Sequence, residues 1–458
     1  MPTTVATTSD LSSVLFKYGV YWPVVTLRGE PVFKLLRELE ESQWFSRDRL
    51  DSIQEDKVAR LLTHSHASAP FYRGRDGAIT PKSGDAISTL KQLPFVTKRD
   101  LIHAHDALQS QAHRGRTTTK TTGGSTGQAV TVLKSRPATA LETAANWRGF
   151  RWEGVDIGDR QGRFWGVPAN AVGRLRARAI DWVAHRRRYS AFRFSNQDIV
   201  RYLVELGRFR PHYLYGYASM LRCLAEFLVE TKRSFPSDLR AVISTSEPLT
   251  EPDRRLFREA FGAPVFNEYG CGELGTIAHE CEKGGLHIHC ENLLVEILSP
   301  DSGVEATGSG EVVVTELNNL AMPLIRYRLG DFAEMSLDAC PCGRTLPTLR
   351  NVFGRSYDMI RNRAGQQFHG EFFMYIFEDT RRRDMGVEAF QVVQHDFDHV
   401  TVKVVTTPAF GSATEAFVRE RIRAGLGQNV DVNFDVVDQI PREKSGKMRL
   451  VIGMSTPS

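Results

Sequence analysis

With 458 residues, 41% of them hydrophobic and 25% charged, the chain has the make-up of a soluble globular protein too long for one ordinary core, so two or three domains are expected. A net charge of +5 suits an anionic ligand such as a nucleotide but falls short of a nucleic-acid footprint. Six cysteines in so long a chain make no disulfide scaffold, and the N-terminus lacks the basic start and cleavage site of a signal peptide.

The apolar stretch from Leu11 to Leu27 is interrupted by Lys17 and Pro23 and is too broken to span a bilayer. A cytoplasmic enzyme is expected, with attachment to a membrane surface left open. Apolar residues at helical spacing (Phe33, Leu36, Leu39, then Val58, Leu61, Leu62) predict helices across 29–64, and Pro70-Phe71-Tyr72 breaks that pattern. A strand-like run at 117–122 leads into Gly123-Gly124-Ser125-Thr126-Gly127, and Val130 to Leu133 resumes the strand pattern, which puts the glycines in a turn.

From about residue 138, helical patterns alternate with short apolar runs ending at Gly166, Gly216, Ser244 and Asn267, which predicts a mixed or parallel α/β sheet. Between 286 and 335 the texture turns to strands. A boundary is predicted near Gly354-Arg355; beyond it, strands at 390–393, 400–404 and 430–434 with a helix at about 413–425 make a small α+β domain. The expected architecture is a large multi-layer N-terminal α/β domain with a β-rich segment, residues 1–354, followed by a small mobile C-terminal α+β domain, residues 355–458.

Five segments carry chemistry. Thr122-Gly123-Gly124-Ser125-Thr126-Gly127 offers hydroxyls and unobstructed N–H groups, as phosphate oxygens require. It is neither a Walker loop nor the dinucleotide glycine pattern, and alone it reads equally well as an exposed β-turn. Asn267-Glu268-Tyr269-Gly270-Cys271-Gly272-Glu273 sets an acid four residues after an aromatic. Tyr327 to Asp331 puts an aspartate at the end of a strand. Gly354-Arg355 precedes the small domain, and Pro441 to Lys447 lies almost at the C-terminus.

In this order and spacing, from about residue 50 onward, the chain resembles the adenylate-forming superfamily, and within it the phenylacetate–coenzyme A ligase family with its capsule-biosynthesis-like relatives. The resemblance implies that Thr122 to Gly127 hold the phosphates of ATP. It implies that the Ser246-Glu247-Pro248 backbone lies along adenine, with Tyr269 packed on the base in the segment Asn267-Glu268-Tyr269-Gly270. Glu273 matches the acid that helps hold Mg²⁺, Asp331 the ribose-hydroxyl acceptor, Arg355 a further nucleotide contact, and Lys447 the mobile lysine of the small domain. The family commonly reads Gly-Arg-x-Asp-Asp at its hinge; here Tyr357 stands at the first acid and Asp358 at the second, which leaves the pivot open between them.

The implied reaction is ATP-dependent conversion of a carboxylic acid to acyl-AMP, then transfer to a thiol, with coenzyme A the leading acceptor. An amine, a hydroxyl or a carrier protein is the alternative acceptor, and a non-catalytic nucleotide-binding accessory protein of polysaccharide biosynthesis is the alternative class. No nucleic acid or transmembrane segment is expected, and the oligomeric state is left open, a homodimer being one option. Tyr213, Tyr215, Tyr217 and Phe266 are candidates to line the acyl pocket, although aromatics at such run ends more often belong to plain core.

Cys281, His287, Cys340 and Cys342 have the composition of a closed structural zinc site, with His279, His289 and Cys290 as spare candidates and reduced, unliganded thiols as the alternative. Finally, Arg174, Arg176 and Arg178 with His185 to Arg188 flank the apolar Ile180 to Val183. This stretch reads as a solvated helix face or as a dock for an anionic group: a coenzyme A phosphate, an acidic glycan or a lipid surface.

Overall fold

The computed structural model describes residues 10–73, 84–121, 130–165, 171–190, 196–247, 249–299, 303–305, 308–355, 360–363, 367–368, 373, 376–377, 379–380, 383–438, 440 and 451–454. Two compact units account for the chain. The larger takes Met1–Thr122, Val130–Leu329 and Ala333–Val352, and the smaller is dominated by Phe353–Ser458.

In the larger unit, helices α1 (Val32–Ser42) and α2 (Arg47–Ser68) bury the apolar stripe read from their sequence. Ser46 caps α2 by accepting the Arg49 N–H. Pro70, expected to break the helical pattern, instead opens a further helical turn, Pro70–Arg73, because proline's missing N–H costs nothing at a first helical position. Strands β1 (Thr117–Thr121) and β2 (Thr131–Ser135) pair antiparallel with Thr121 opposite Thr131, and the glycine segment between them lies outside the described residues.

There follow α3 (Arg136–Trp152), β3 (Gln161–Trp165), α4 (Ala171–Val183), β4 (Arg186–Ser190), α5 (Asn196–Phe209), β5 (Tyr213–Tyr217), α6 (Ala218–Glu230), β6 (Ala241–Thr245), α7 (Glu251–Phe261) and β7 (Val265–Cys271). The strands pair in parallel in the order β4-β3-β5-β6-β7. Arg186 and Arg188, read in the sequence as part of a solvated helix face or an anion dock, belong to the edge strand β4, where period-two alternation lets both reach Asp181 of α4.

The central strands β5 and β6 are covered on both faces, which is why they read as short apolar runs. Leu214, Val242 and Val265 face α5, α6 and α7, while Tyr213, Tyr215, Ala241 and Ile243 face α1 and α3. The sheet continues through β8 (Gly275–Glu280), β9 (Leu286–Ile288), β10 (Leu293–Ser299), β11 (Gly303–Glu305), β12 (Gly308–Glu316), β13 (Tyr327–Ser336) and β14 (Thr348–Arg355), with β7-β8, β8-β9, β9-β14, β10-β11 and β10-β12 antiparallel. Its full order is β11-β10-β12-β13-β14-β9-β8-β7-β6-β5-β3-β4. Asp331, expected at a strand end, lies inside β13, which runs on to Ser336 past Gly330 at φ +78°.

One buried ion pair ties the layers together. Arg148 of α3 donates to both carboxylate oxygens of Glu291 (2.6 and 2.9 Å) and to the Leu39 carbonyl at the end of α1 (2.9 Å). Ser42 also donates to Glu291 at 2.6 Å, so the buried carboxylate is fully paired.

The smaller unit contains the short pair β15 (Ile360–Arg361) and β16 (Gln367–Phe368), then β17 (Val387–Gln394), β18 (His399–Thr406), α8 (Ser412–Leu426), β19 (Asp431–Val436) and β20 (Val451–Ile452). The four longer-range strands run in the order β19-β18-β17-β20, and Val392, Val402, Val418, Ile422 and Phe377 share its core. The architecture is mixed α/β with a large N-terminal and a smaller C-terminal domain.

Candidate active site and metal centre

In a parallel sheet, ligands gather outside the carboxyl ends of the strands. Here register aligns those ends: Tyr217 of β5 is opposite Thr245 of β6, and Thr245 is opposite Glu268 of β7. Immediately after β6, Ser246 adopts φ +65°, a left-handed backbone rare outside glycine and typical of residues held for function. Glu247 follows it; Pro248 lies outside the described residues.

Along β7 the pairing with β8 shifts register between Tyr269 and Gly270. A Cβ on Gly270 would sit 2.6 Å from the Gly275 carbonyl oxygen, so only glycine permits this bulge. Asn267 is anchored by its backbone N–H to Glu280 at 2.8 Å. Tyr269 is buried in the core beneath the mixed half of the sheet. Glu268 accepts from Thr276 at 2.7 Å, has its other oxygen buried without a partner, and is pushed up in pKa by burial.

Glu273 lies on the turn between β7 and β8 and is buried, accepting a hydrogen bond from the Tyr327 hydroxyl at 3.2 Å. That turn is fixed from below. The fully buried Lys134 ammonium donates to the Leu274 carbonyl at 2.7 Å and pairs with Glu142 (2.6 Å) and Glu316 (2.9 Å). Lys120 also pairs with Glu142. Gly275, at φ +84°, has no room for a side chain, because a Cβ would meet the Glu142 carboxylate at 2.2 Å. A carboxylate so placed, with one hydroxyl donor among the described residues, retains lone pairs for a hard cation such as Mg²⁺.

Tyr215 and Tyr217 line one aromatic corner with Trp165, whose ring lies 5.7 Å from Tyr215 and 4.5 Å from Tyr217. Phe266 packs at the edge of the core that Tyr213 and Ile243 build. Into this corner comes Arg163 of β3, a residue that sequence reasoning missed. Its guanidinium carbon is 4.4 Å from the Trp165 ring centre and 4.8 Å from that of Tyr215. Its Nε is buried without a hydrogen bond, and among the described residues no carboxylate forms a salt bridge to it. Burial, with Arg186 nearby, lowers its pKa to about 10, so it stays a cation at neutral pH. A lone arginine in the apolar run 163–165 was the available signal.

Asp331 lies in β13 four positions beyond Tyr327, and Arg355 ends β14. Thr122 to Gly127, Tyr357, Asp358 and Lys447 lie outside the described residues.

The sulfur and imidazole set does converge. Cys281 follows β8, His287 is in β9, and Cys340 and Cys342 sit on the turn between β13 and β14; their ligand atoms all lie within 4.8 Å of one another. The Cys281 and Cys340 sulfurs are 3.7 Å apart, far beyond a disulfide and close to the ~3.8 Å edge of a tetrahedron with zinc–sulfur bonds of about 2.3 Å. His287 Nδ1 approaches the Leu346 carbonyl at 3.2 Å, which fixes the proton there and frees Nε2, 3.2 Å from the Cys342 sulfur. The Cys281 thiol and the Arg344 backbone N–H donate to the Cys342 sulfur and hold its pKa well below the usual thiol range.

Gly285 lies against the same centre. A Cβ there would be 2.7 Å from the Cys340 sulfur, 3.2 Å from His287 Nε2 and 3.5 Å from the Cys281 sulfur. The donor set, its spacing and this cradle fit a closed zinc site. The spare candidates are otherwise engaged: His279 with Glu153 and Asn146 at 2.8 Å each, His289 with Arg148 at 3.0 Å, and Cys290 in the core.

Comparison with known proteins places the chain among relatives by sequence and fold. Residues 362–454 match the family described as the CapK C-terminal domain. A phenylacetate-coenzyme A ligase of Thermus thermophilus is 26% identical over 458 residues, covering 90% of this chain and 98% of the relative. Protein CapK of Staphylococcus aureus is 22% identical over 381 residues, covering 80% of each. Among solved structures, a 2-hydroxyisobutyryl-CoA ligase in the postadenylation state superposes with a TM-score of 0.63 at 20% identity over 90% of both chains. Over about nine-tenths of its length the chain is thus similar to phenylacetate-coenzyme A ligases, and its C-terminal residues are similar to the CapK C-terminal domain.

Proposed function

We propose that this adenylate-forming chain joins a carboxylic acid to AMP at the expense of ATP and passes the acyl group to coenzyme A. The observation that carries the reading is the common edge of β5, β6 and β7, where the strained Ser246, the bulge at Gly270 and the clamped Glu273 adjoin an aromatic corner holding a cation. The resemblance to phenylacetate-coenzyme A ligases spanning about nine-tenths of the chain supports the same reading.

Adenine lies along Ser246-Glu247-Pro248, and the phosphates are held by Thr122 to Gly127. Tyr269, sunk in the core, shapes the base site more through the bulge it precedes than through an open ring face. The acid occupies the corner of Tyr215, Tyr217 and Phe266, with Arg163 attracting its anion. It needs no general base, being ionised already at neutral pH. Attack of its oxygen on the α-phosphorus builds charge on the non-bridging oxygens and on the departing pyrophosphate. A magnesium ion at Glu273 would supply cationic stabilisation of that charge when bound, and Lys447 would supply a second cation. Asp331 accepts the ribose hydroxyls and Arg355 adds a nucleotide contact. The domains are 1–354 and 355–458; the second carries Lys447 in, then swings away to admit the acceptor. Zinc at Cys281, His287, Cys340 and Cys342 is structural.

A screen of aryl, fatty and sugar acids, read as pyrophosphate release without and then with coenzyme A, tests the proposal. Acid-dependent release without coenzyme A supports adenylation, and coenzyme A-dependent AMP release identifies the acceptor. Amines, hydroxyls or a carrier protein replace it if AMP release responds to them instead.

A further inference from the structure

Large apolar side chains left in water are scattered singly on most soluble surfaces, and a concentration of them marks an interaction site. Here ten of the sixteen exposed large apolar residues among the described residues fall in two helical stretches, Leu11–Leu27 and α4. In the first stretch Leu11 (73% exposed), Leu15 (64%), Tyr18 (56%) and Trp22 (48%) recur at helical spacing, while Ser13, Tyr21 and Val25 point inward. In α4, Val172 (79%), Leu175 (69%) and Trp182 (63%) form a second stripe. The two stretches touch: the Phe16 ring meets Trp182 at 5.8 Å and stacks on His185 at 3.9 Å. They belong to the same unit.

Charge decides what covers this surface. Arg174, Arg176 and Arg178 are exposed on α4, whose only acid, Asp181, is buried and occupied by Arg186 and Arg188. No carboxylate among the described residues forms a salt bridge with Arg176 or Arg178. A second copy of the chain is a poor occupant, since an isologous interface would bring both sets of arginines together. Leucine and tryptophan beside Arg176 and Arg178 match the boundary of an anionic bilayer: leucine reaches the acyl chains, tryptophan and tyrosine sit at headgroup depth, and arginine meets lipid phosphate. No helix among the described residues is long and apolar enough to cross a membrane, so contact of this kind would be peripheral.

We infer that the surface formed by Leu11–Leu27 and α4 docks the protein reversibly on anionic phospholipid membranes. The inference does not depend on the proposed reaction. The test is flotation of the full chain with vesicles of phosphatidylglycerol and phosphatidylcholine against phosphatidylcholine alone. Binding is expected only with the anionic vesicles and weakens as salt is raised. Arg176→Gln with Arg178→Gln should reduce partitioning about 30-fold at low salt, and Leu175→Glu should abolish it. These side chains are exposed, so melting temperature should be unchanged. Equal binding to both vesicle types, or none to either, overturns the inference. So does a concentration-dependent dimer that Leu175→Glu dissociates, because a second copy then covers the face.

Discussion

Replacing Gly285 by alanine is the sharpest probe of the metal centre, because it leaves all four ligands in place. The added methyl would stand 2.7 Å from the Cys340 sulfur, and ordinary contact begins at 3.4 Å, so the sulfur or its strand must move by ~0.7 Å. Metal–ligand distances tolerate only about 0.2 Å. With zinc bound, the sulfur cannot give way without leaving the metal. Without zinc, the Cys340 side chain can rotate aside and the methyl costs little. The zinc reading therefore predicts a large, metal-dependent loss: about 3 kcal/mol or more, if one ligand is lost from a site of this kind, and a melting temperature lower by about 5 °C. Elemental analysis by mass spectrometry should find about one zinc per chain in the parent protein and much less in Gly285→Ala and in Cys342→Ser. A chelator should lower the parent's melting temperature to that of the variants and leave the variants unmoved. A Gly285→Ala protein with full zinc, or a zinc-free parent of unchanged stability, refutes the reasoning.

Three further outcomes are expected at the reaction site. Glu273→Gln keeps the hydrogen bond from Tyr327 but removes the charge, so pyrophosphate release should fall by about two decades or more at ordinary magnesium while the fold persists; near-normal release would misplace the metal acid. Arg163→Met keeps much of the stacking bulk at the Trp165 and Tyr215 corner and removes the cation, so KM for the acid should rise about tenfold or more with KM for ATP unchanged; an unchanged acid KM would move the acid elsewhere. Lys447→Ala should lose about 3–4 kcal/mol of transition-state stabilisation in acyl-AMP formation yet transfer acyl from supplied acyl-AMP at close to the parent rate; joint failure of both half-reactions would assign the lysine a structural role.

The parallel half of the fold was legible because strands covered on both faces leave continuous apolar runs, as at Ala241 to Ser244, and the helices between them leave periodic ones. The cysteine set was legible through ligand chemistry, and the fold singled out four residues from seven by giving His279, His289 and Cys290 other partners or burial. Other features depend on tertiary neighbours that one sequence does not show. Arg186 and Arg188 belong to a strand because β3 offers an edge to pair with, whatever their local pattern suggests. Arg163 matters because two aromatic rings from β3 and β5 close around it. Tyr327 is an ordinary strand residue in the sequence, and only the fold sets its hydroxyl on Glu273. Gly285 passes for turn glycine in the sequence, and only the sulfur 2.7 Å from its missing Cβ shows what it makes room for.

The central claim is that an acid is adenylated before any acceptor takes part. The direct measurement is isotope exchange between pyrophosphate and ATP, with each acid of the panel added in turn and coenzyme A absent. Exchange should require one class of acid, require magnesium and collapse in Glu273→Gln. Exchange independent of any acid, or no exchange with any acid until coenzyme A is supplied, would contradict it.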